Sequence, residues 1–463
     1  MWGLFYFSAI KKNEINSVKK FITTLKNIWS IEELRNKILF TLGLIFIYVL
    51  GTHIVLPGIN PTELEKLTND NSKSSNGLLG LLDTFVGGSF NRASIFALGI
   101  MPYISASIFM QLVTILVPQM AKVQKEGESG RKKINQWTRY LTVIVTAFQA
   151  AGYIGFLKTT YQTAIVPSFN NYFWISTVII LTVGTLFVMW LGEKITDKGL
   201  GNGTSIIIMI GILARLPQAI AQEFSSRITM GAGGLLIMLI EVFCLVAIIM
   251  GLIMLVQGTR KVPVNYAKQM VGGNDLNGAR NFLPLKVNAS GVMPIIFAQA
   301  ILFFIGFVVG LGNTSGKAFL SDPTNVWYML IYTVAVIAFT FLYTALIFNP
   351  KQMADELKRS NGFIPGVKPG QDTADYIGTI MDRITLPGAI LLAFVGILPG
   401  LFQLIFKTQQ NFATFFGGTS LLIMVGVILD TLQQIETQLL MRQYDGLMST
   451  GRVQGRQGVE SAM

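Results

Sequence analysis

The sequence predicts an all-α polytopic membrane protein in which ten transmembrane helices form two inverted halves of five. Three observations predict this class: an apolar composition, ten long apolar runs and an internal repeat. The chain has 463 residues, of which 51% are hydrophobic and 13% charged, and its mean hydropathy is +0.55. A soluble core needs less apolar surface than this, and the runs approach the ~20 residues that cross a bilayer as a helix.

The N-terminal segment, residues 1–37, is predicted to be cytoplasmic or interfacial. From Ser17 to Lys37 the apolar residues recur every three or four positions with Lys and Arg opposite them, which is typical of a helix lying on a membrane surface. Ten apolar runs follow, and residues 442–463 form a tail. The predicted spans are 38–56, 93–117, 138–157, 172–192, 204–220, 234–257, 288–311, 326–348, 387–406 and 417–441.

The stretch from Gly77 to Leu116 contains one and a half membrane helices rather than one. A short apolar segment stops at Gly87 and Gly88, and the longer run after it carries Gly99 and Pro102 in its middle. Hydrocarbon offers no partners to free backbone groups, so irregular backbone at membrane depth is tolerated only inside protein or beside a wet cavity. The stretch therefore predicts a pore or a substrate cavity.

The distribution of positive charge predicts the orientation. The N-terminal segment, the tail, the loops after the even-numbered spans and Arg139 together hold 28 of the 36 lysines and arginines. Positive residues are retained on the cytoplasmic side, so both termini are expected in the cytoplasm. The formal charge of +12 is thus mainly a topology signal, compatible with acidic partners or rRNA and giving no indication of DNA reading.

Two pairs of similar strings define an internal repeat. GIMPYISAS from Gly99 matches GVMPIIFAQ from Gly291, and GTSIIIMIG from Gly203 matches GTSLLIMVG from Gly418. Each pair lies five spans apart, so the chain is predicted to consist of halves 38–220 and 221–441. An odd number of spans inverts the second half and places a shared site near the bilayer midplane.

The repeat also pairs four isoleucines, Ile104 with Ile296 and Ile208 with Ile423. Bulky apolar side chains from equivalent helices could close a waist that excludes water and ions. Ordinary helix packing would produce the same pattern, and periodicity alone does not separate the two interpretations.

The sequence offers little to an enzyme or a metal site. Cys244 and His53 are the single cysteine and histidine, and no HExxH, GxSxG or Walker A string occurs. We therefore expect no enzymatic activity and no cofactor. The alternative function is an ion-coupled secondary transporter, which also uses inverted repeats; it would need ionisable groups at the midplane, and only Glu241, which has no evident partner in the sequence, lies in the middle of a span.

Six long strings closely resemble the SecY family, the central subunits of the Sec protein-conducting channel, and the match runs from about Val18 to Arg456. The strings are RASIFALGIMPYISASI from Arg92, KEGESGRKKINQWTRY from Lys125, MWLGEKITDKGLGNGTSIII from Met189, LPLKVNASGVMPIIFA from Leu283, FNPKQMADELKRSNGFIPGVKPGQDTADYI from Phe348 and FFGGTSLLIMVGVILDTLQQIETQLL from Phe415.

The resemblance implies a channel that moves unfolded secretory polypeptides across the membrane and releases transmembrane segments sideways into lipid. Residues 76–91 would form a re-entrant plug helix that fills the outer funnel of a central pore until a polypeptide displaces it. Its apolar plug residues are Leu78, Leu79, Leu81, Leu82, Phe85 and Val86. The implied pore ring is Ile100, Ile104, Thr204, Ile208, Ile296 and Ile423, where Thr204 replaces a more usual apolar residue. The implied lateral gate, between the second and seventh spans, contains Pro102, Ser105, Pro294, Gln299 and Phe304.

The resemblance also implies partners and a location. The companions would be the SecE and SecG subunits, the SecA ATPase, the ribosome, signal sequences, nascent polypeptides and the lipid of the bacterial cytoplasmic (inner) membrane. Loops 258–287 and 350–386 would dock the ribosome or the ATPase. Their implied contact residues are Arg260, Lys261, Lys268, Lys358, Arg359 and Lys368, where Lys368 replaces a more usual arginine and loses its bidentate fork.

Overall fold

The computed structural model describes residues 29, 31–64, 83, 86–166, 170–229, 232–266, 280–288, 290–299, 302, 325–415 and 418–450. Within these residues eight helices are long and apolar enough to cross a membrane, and a bent pair with an angle of 104° at its break makes up to nine. Each coincides with a predicted span. The seventh predicted span, 288–311, lies largely outside the described residues, so the all-α membrane class is confirmed while the count of ten stays a prediction.

The helices and their bounds follow the chain order. They are α1 (Glu32–His53), α2 (Met101–Leu116), α3 (Pro118–Lys125), α4 (Glu128–Thr160), α5 (Asn170–Lys198), α6 (Gly203–Thr229), α7 (Ala232–Gln257), α8 (Val326–Ile347), α9 (Pro350–Arg359), α10 (Gln371–Phe406), α11 (Gln410–Ala413) and α12 (Gly418–Thr450). Residues 293–299 of the seventh predicted span are also helical.

Several helices depart from the lengths of their apolar runs. The second predicted span becomes helical only at Met101, because Gly99 takes a left-handed φ of +52° and Pro102 occupies the first helical turn, where its missing N–H costs nothing. Pro102 therefore begins the helix and does not interrupt it. The fifth predicted span, 204–220, continues to Thr229, where Glu223 and Arg227 pair one turn apart. The polar residues of this extension lie beyond the apolar run, so hydropathy did not include them.

A three-stranded antiparallel sheet lies in the two large loops, where helical periodicity predicted no strand. Strand β1 (Thr259–Tyr266) pairs along its length with β2 (Arg280–Lys286) and at its end with β3 (Gly362–Phe363), in the order β2-β1-β3. Val262 and Val264 alternate with exposed neighbours, so β1 shows the period of two that a half-buried strand requires.

The chain divides into two compact units. One comprises Met1–Leu50, Met189–Ile207 and Val427–Met463, and within its described part the backbone N–H of Leu200 donates to the Thr41 hydroxyl at 3.1 Å. The other comprises Gly51–Val188 and Ile208–Gly426 and contains the irregular segment, the sheet and most of the residues discussed below.

Of the predicted interfacial helix in residues 1–37, the first 28 residues and Ser30 lie outside the described part. Residues 32–37 belong to the first turns of α1, so they continue directly into the first span. Glu32 and Glu33 occupy the first turn, where acidic side chains complement the positive end of the helix dipole.

Candidate functional site

Residues 86–100 are non-helical and lie inside the larger unit. Their backbone groups are satisfied by protein: Leu56 donates to the Ala93 carbonyl at 2.8 Å, and Ile95 donates to the Ile54 carbonyl at 2.9 Å. The Tyr153 hydroxyl donates to the carbonyl of Phe90 at 2.6 Å. This is the condition under which irregular backbone can exist at membrane depth.

Two glycines with left-handed backbone, Gly87 and Gly99, allow close approaches by this segment. A Cβ atom at Gly87, whose φ is +70°, would lie 3.0 Å from the carbonyl oxygen of Gly211 in α6. A Cβ atom at Gly99 would lie 2.9 Å from a methyl group of Val86. Residues with side chains avoid this conformation, so glycine is needed at both positions. The segment is thereby packed against α6 at Gly87, and its two ends, Val86 and Gly99, are packed against each other.

Asp83 connects the same segment to α6 through charge. Its side chain is fully buried, and its Oδ2 atom lies 2.6 Å from Nη2 of Arg215. Asn91 donates its backbone N–H to Oδ1 at 3.0 Å and its side-chain amide to Oδ2 at 2.8 Å. Both carboxylate oxygens thus accept hydrogen bonds, which is what a buried charge requires. The sequence did not indicate this pair, because Asp83 and Arg215 lie 132 positions apart with three predicted spans between them.

The predicted plug is described only in part. Leu78, Leu79, Leu81, Leu82 and Phe85 lie outside the described residues. Val86 is buried, and one of its methyl groups lies 2.9 Å from where a Cβ atom of residue 99 would be.

The predicted ring isoleucines are mostly buried. Ile100, Ile208 and Ile423 are buried, whereas Ile104 and Ile296 are half-buried. Ile100 immediately precedes α2, as its N-terminal cap residue. Thr204 lies in the other unit, and its hydroxyl donates to the Asn202 side chain at 2.7 Å in the first turn of α6. That these residues form one ring stays a prediction.

The predicted gate residues fall on α2 and on the short helical stretch 293–299. Ser105 is exposed and its hydroxyl donates to the Met101 carbonyl at 3.1 Å, while Pro294 is buried. Gln299 accepts from the Thr419 hydroxyl at 3.4 Å, which joins the seventh predicted span to α12. Phe304 lies outside the described residues.

A small cavity with a mixed polar and apolar lining adjoins Gln299. It encloses about 40 Å³, space for a few water molecules. Its lining comes from α8, α10, the start of α12 and the residues before it, and includes Tyr332, Gln403 and Thr414.

The two large loops form one small folded domain. Val262, Leu285, Leu357, Ile364 and Ile377 belong to its common hydrophobic cluster, so strands β1 and β2 pack with α9 and the start of α10. The predicted contact residues Arg260, Lys261, Lys358, Arg359 and Lys368 are all exposed on this domain. Lys268 lies outside the described residues.

A buried ionic cluster lies at the end of α6 and contains the partner of Glu241. The Arg227 guanidinium pairs with both Glu223 and Glu241, and all three side chains are almost completely buried. Arg227 also donates to the Phe406 carbonyl at 3.0 Å, and the Thr408 hydroxyl donates to Glu241 at 3.1 Å. The expectation that Glu241 has no partner was therefore wrong, because Arg227 belongs to α6 and not to an external loop.

The comparisons with known proteins agree on one family. The family model described as SecY matches residues 94–432. The protein translocase subunit SecY of Streptomyces scabiei is 40% identical over 446 residues, covering 92% of this chain and 100% of that protein. The protein of the same name from Vibrio cholerae is 39% identical over 435 residues, covering 92% of this chain and 96% of its own.

Solved structures share the fold at low sequence identity. A structure described as that of a protein conducting channel has a TM-score of 0.61 at 14% identity and covers 91% of this chain and 95% of its own. Sec61 in the canine ribosome-channel complex from the endoplasmic reticulum gives 0.57 at 14% identity, with coverages of 91% and 95%. The family model matches most of the chain, and the relatives align with it over almost their whole length. This chain therefore belongs to the SecY family of protein translocase subunits.

Proposed function

We propose that this chain forms the protein-conducting channel of a Sec translocase, passing unfolded secretory polypeptides through the membrane and releasing transmembrane segments sideways into lipid. Membership of the translocase family supports this function. The structural observation that supports it most directly is the segment 86–100, whose irregular backbone is hydrogen bonded to other parts of a bundle of membrane-length helices. A simple helical bundle has no need of such a segment.

In the resting channel the plug, residues 76–91, blocks the path and the isoleucine ring forms a narrow apolar constriction. Such a seal is required because the membrane potential is worth ~2.3 kcal/mol per elementary charge per 100 mV. An apolar constriction excludes ions by dewetting and can fit closely round an extended chain. The buried positions of Val86, Ile100, Ile208 and Ile423 support this role.

The lateral gate lies between α2 and the seventh span, at Pro102, Ser105, Pro294, Gln299 and Phe304. A signal sequence is apolar, and each Leu or Phe favours lipid by ~0.3 to 0.6 kcal/mol at the bilayer centre. A gate that opens sideways lets such a segment leave by partitioning. This subunit forms or breaks no covalent bond in the process, which agrees with its membership of a family of channel subunits.

Partners supply the driving force and dock on the domain formed by the two large loops. We assign the ribosome and the SecA ATPase to this face, with Arg260, Lys261, Lys268, Lys358, Arg359 and Lys368 as contacts. SecE and SecG are the expected companion subunits. One structural relative was solved in a ribosome-channel complex, and the exposed cations of the domain suit an acidic or phosphate-bearing partner.

We place the protein in the cytoplasmic membrane of a bacterium. Because both termini are on the side that carries most of the positive charge, both lie in the cytoplasm.

The domain organisation proposed here follows the repeat. Residues 1–37 precede the first half, 38–220, and the second half, 221–441, carries the docking loops 258–287 and 350–386. Residues 442–463 form the cytoplasmic tail. Because α6 continues to Thr229, the predicted boundary at 220/221 falls inside this helix, and we place the end of the first half at the end of α6.

An ion-coupled carrier is not supported. The candidate coupling residue Glu241 is paired with Arg227 and hydrogen bonded to Thr408, so it is committed to a structural cluster.

Reconstitution tests the proposed function. Vesicles containing this protein with its companion subunits should take up a secretory precursor in the presence of SecA and ATP, and protease added outside should leave the imported chain intact. Vesicles without the protein are the control. A failure to protect any precursor, with the reconstituted protein folded, would contradict the proposal.

A further inference from the structure

The plug segment is fastened to α6 by one ion pair whose two members differ in their exposure. Asp83 is completely buried, whereas the side chain of Arg215 remains 20% exposed. Removing Arg215 would leave a buried carboxylate without its paired cation, held by neutral donors from Asn91 and the backbone of Phe90 and by the more distant charge of Arg92. Removing the charge of Asp83 would leave a guanidinium that water can still reach. The two losses therefore have unequal costs, and the loss of Arg215 is the more severe.

The position of Arg215 on α6 links it to the predicted ring. Ile208, Gly211 and Arg215 are spaced by three and four residues, so they share one face of the helix. Gly211 meets the backbone of Gly87, and the Arg215 guanidinium lies 3.4 Å from the Cβ position of Gly88. Arg215 is seven residues beyond Ile208, or about 10 Å along the axis. The same face of α6 thus carries a ring residue and, two turns away, the contacts of the plug.

The backbone around Asp83 is organised by the same residue. The N–H of Gly88 donates to the Asp83 carbonyl at 2.9 Å, and Asn91 binds both oxygens of its side chain. Asp83 thereby stabilises the turn that contains Gly87 and Gly88. Arg215 in turn fixes the Asp83 side chain through the ion pair. Movement of the plug away from α6 must separate this pair and solvate both charges.

We propose that the Asp83–Arg215 ion pair is an ionic latch that holds the plug closed, so that Arg215 is a positioning residue that sets how hydrophobic a signal sequence must be to open the channel. This inference rests on the proposed function of the chain as a protein-conducting channel. A signal sequence opens the channel only when its gain on entering lipid exceeds the cost of the open state. A weaker latch lowers that cost and admits signals with fewer apolar residues.

The test is a double-mutant cycle with Arg215→Gln, Asp83→Asn and the double variant, in vesicles with SecA and companion subunits. Resting ion conductance and import of precursors with progressively fewer leucines in their signals are measured. Arg215→Gln should raise resting conductance on the order of tenfold, as expected for directly contacting residues, and restore import of a signal too weak for the wild type. Asp83→Asn should have a smaller effect. The double variant should resemble Asp83→Asn, because neutralising Asp83 leaves Arg215 nothing to hold.

A labelling measurement reports plug movement directly. Ser89 is fully buried beside the latch, so Ser89→Cys in a Cys244→Ser background should react slowly with a membrane-impermeant maleimide and faster when Arg215→Gln is added. The matched control is Arg131→Gln, which removes an exposed guanidinium on α4. The control should keep wild-type labelling and conductance.

Two outcomes would overturn the latch. Wild-type conductance, labelling and signal threshold in Arg215→Gln would exclude a holding role. Equal effects of Arg131→Gln would show that the effects come from a general loss of positive charge. Either result can occur in a channel that still imports strong precursors, so failure of the latch is distinct from failure of the proposed function. Deleting 77–86 provides the reference for an unplugged channel.

Discussion

Arg227 illustrates how a buried charge is accommodated within this bundle. Its guanidinium pairs with Glu223 one turn earlier on α6 and with Glu241 on α7, and it also donates to the carbonyl of Phe406 at the end of α10. One residue thereby joins the last helix of the first predicted half to two helices of the second. Arg227 supplies the positive charge without which two carboxylates would be buried unpaired, at a large cost in the free energy of folding.

The first prediction concerns this cluster. Arg227→Met leaves Glu223 and Glu241 buried without a cation, and breaking a buried pair by removing one partner costs about 3–5 kcal/mol. We expect a lower unfolding temperature in detergent and faster trypsin cleavage. Arg131→Met, at an exposed arginine on α4, is the matched control and should unfold like the wild type. Equal stability of the two variants would show that the cluster contributes little.

A second prediction concerns Gly99. Its φ of +52° and the 2.9 Å approach of Val86 leave no room for a methyl group. Gly99→Ala should displace the end of the plug segment and raise resting conductance severalfold in planar bilayers. A methyl group at Gly152 meets nothing within 4 Å, so Gly152→Ala is the control and should conduct like the wild type. Unchanged conductance in Gly99→Ala would mean that Val86 does not seal the channel.

Among the elements, the sheet in the large loops is the part that helical periodicity did not predict. The apolar residues Val262 and Val264 lie two positions apart and could have indicated a strand. They lie in a segment that was interpreted only as a cytoplasmic loop, on the basis of its positive charge. The short β3, Gly362–Phe363, has no pattern of its own, because pairing with Tyr266 and Asn265 alone makes it a strand. The sheet makes one docking domain from two loops that are distant in the sequence.

The third prediction tests this domain. Arg260→Glu should abolish or strongly reduce import driven by the ribosome or by SecA, since reversed charge repels an acidic partner, while folding and resting conductance remain normal. Lys368→Glu should act likewise, and Lys368→Arg should be mild. Lys132→Glu, at an exposed lysine of α4, is the control. Co-sedimentation with each partner across salt concentrations measures the contact, and undiminished binding by both glutamate variants would limit these loops to setting topology.

At the scale of the whole molecule, the orientation is predicted by charge alone. A fourth prediction follows from the 28 of 36 lysines and arginines assigned to one side. A reporter active only outside the cytoplasm should work when fused after Val166 or Gln409 and fail after Gly127 or Gly370. Activity of a fusion at Gly370 would contradict both the orientation and the docking face.

The sequence by itself determined the class of the molecule, the position of nearly every membrane helix and the family. These properties depend on signals that are local along the chain: apolar runs of bilayer length, the Lys and Arg of adjacent loops, and long motif strings. Gly99 and Pro102 were also identified from local sequence, although only the structure shows that they begin a helix and do not break one.

The tertiary structure alone decided which charges are paired. Asp83 meets Arg215 across 132 positions, and Glu241 meets Arg227 only because α6 extends beyond its apolar run. The residues around a carboxylate do not show which cation it will pair with. That choice depends on distances of a few ångströms, which are set by how the helices pack and not by local composition. The ion pair that we propose as the plug latch could therefore not be predicted from the sequence, whereas the plug segment could be.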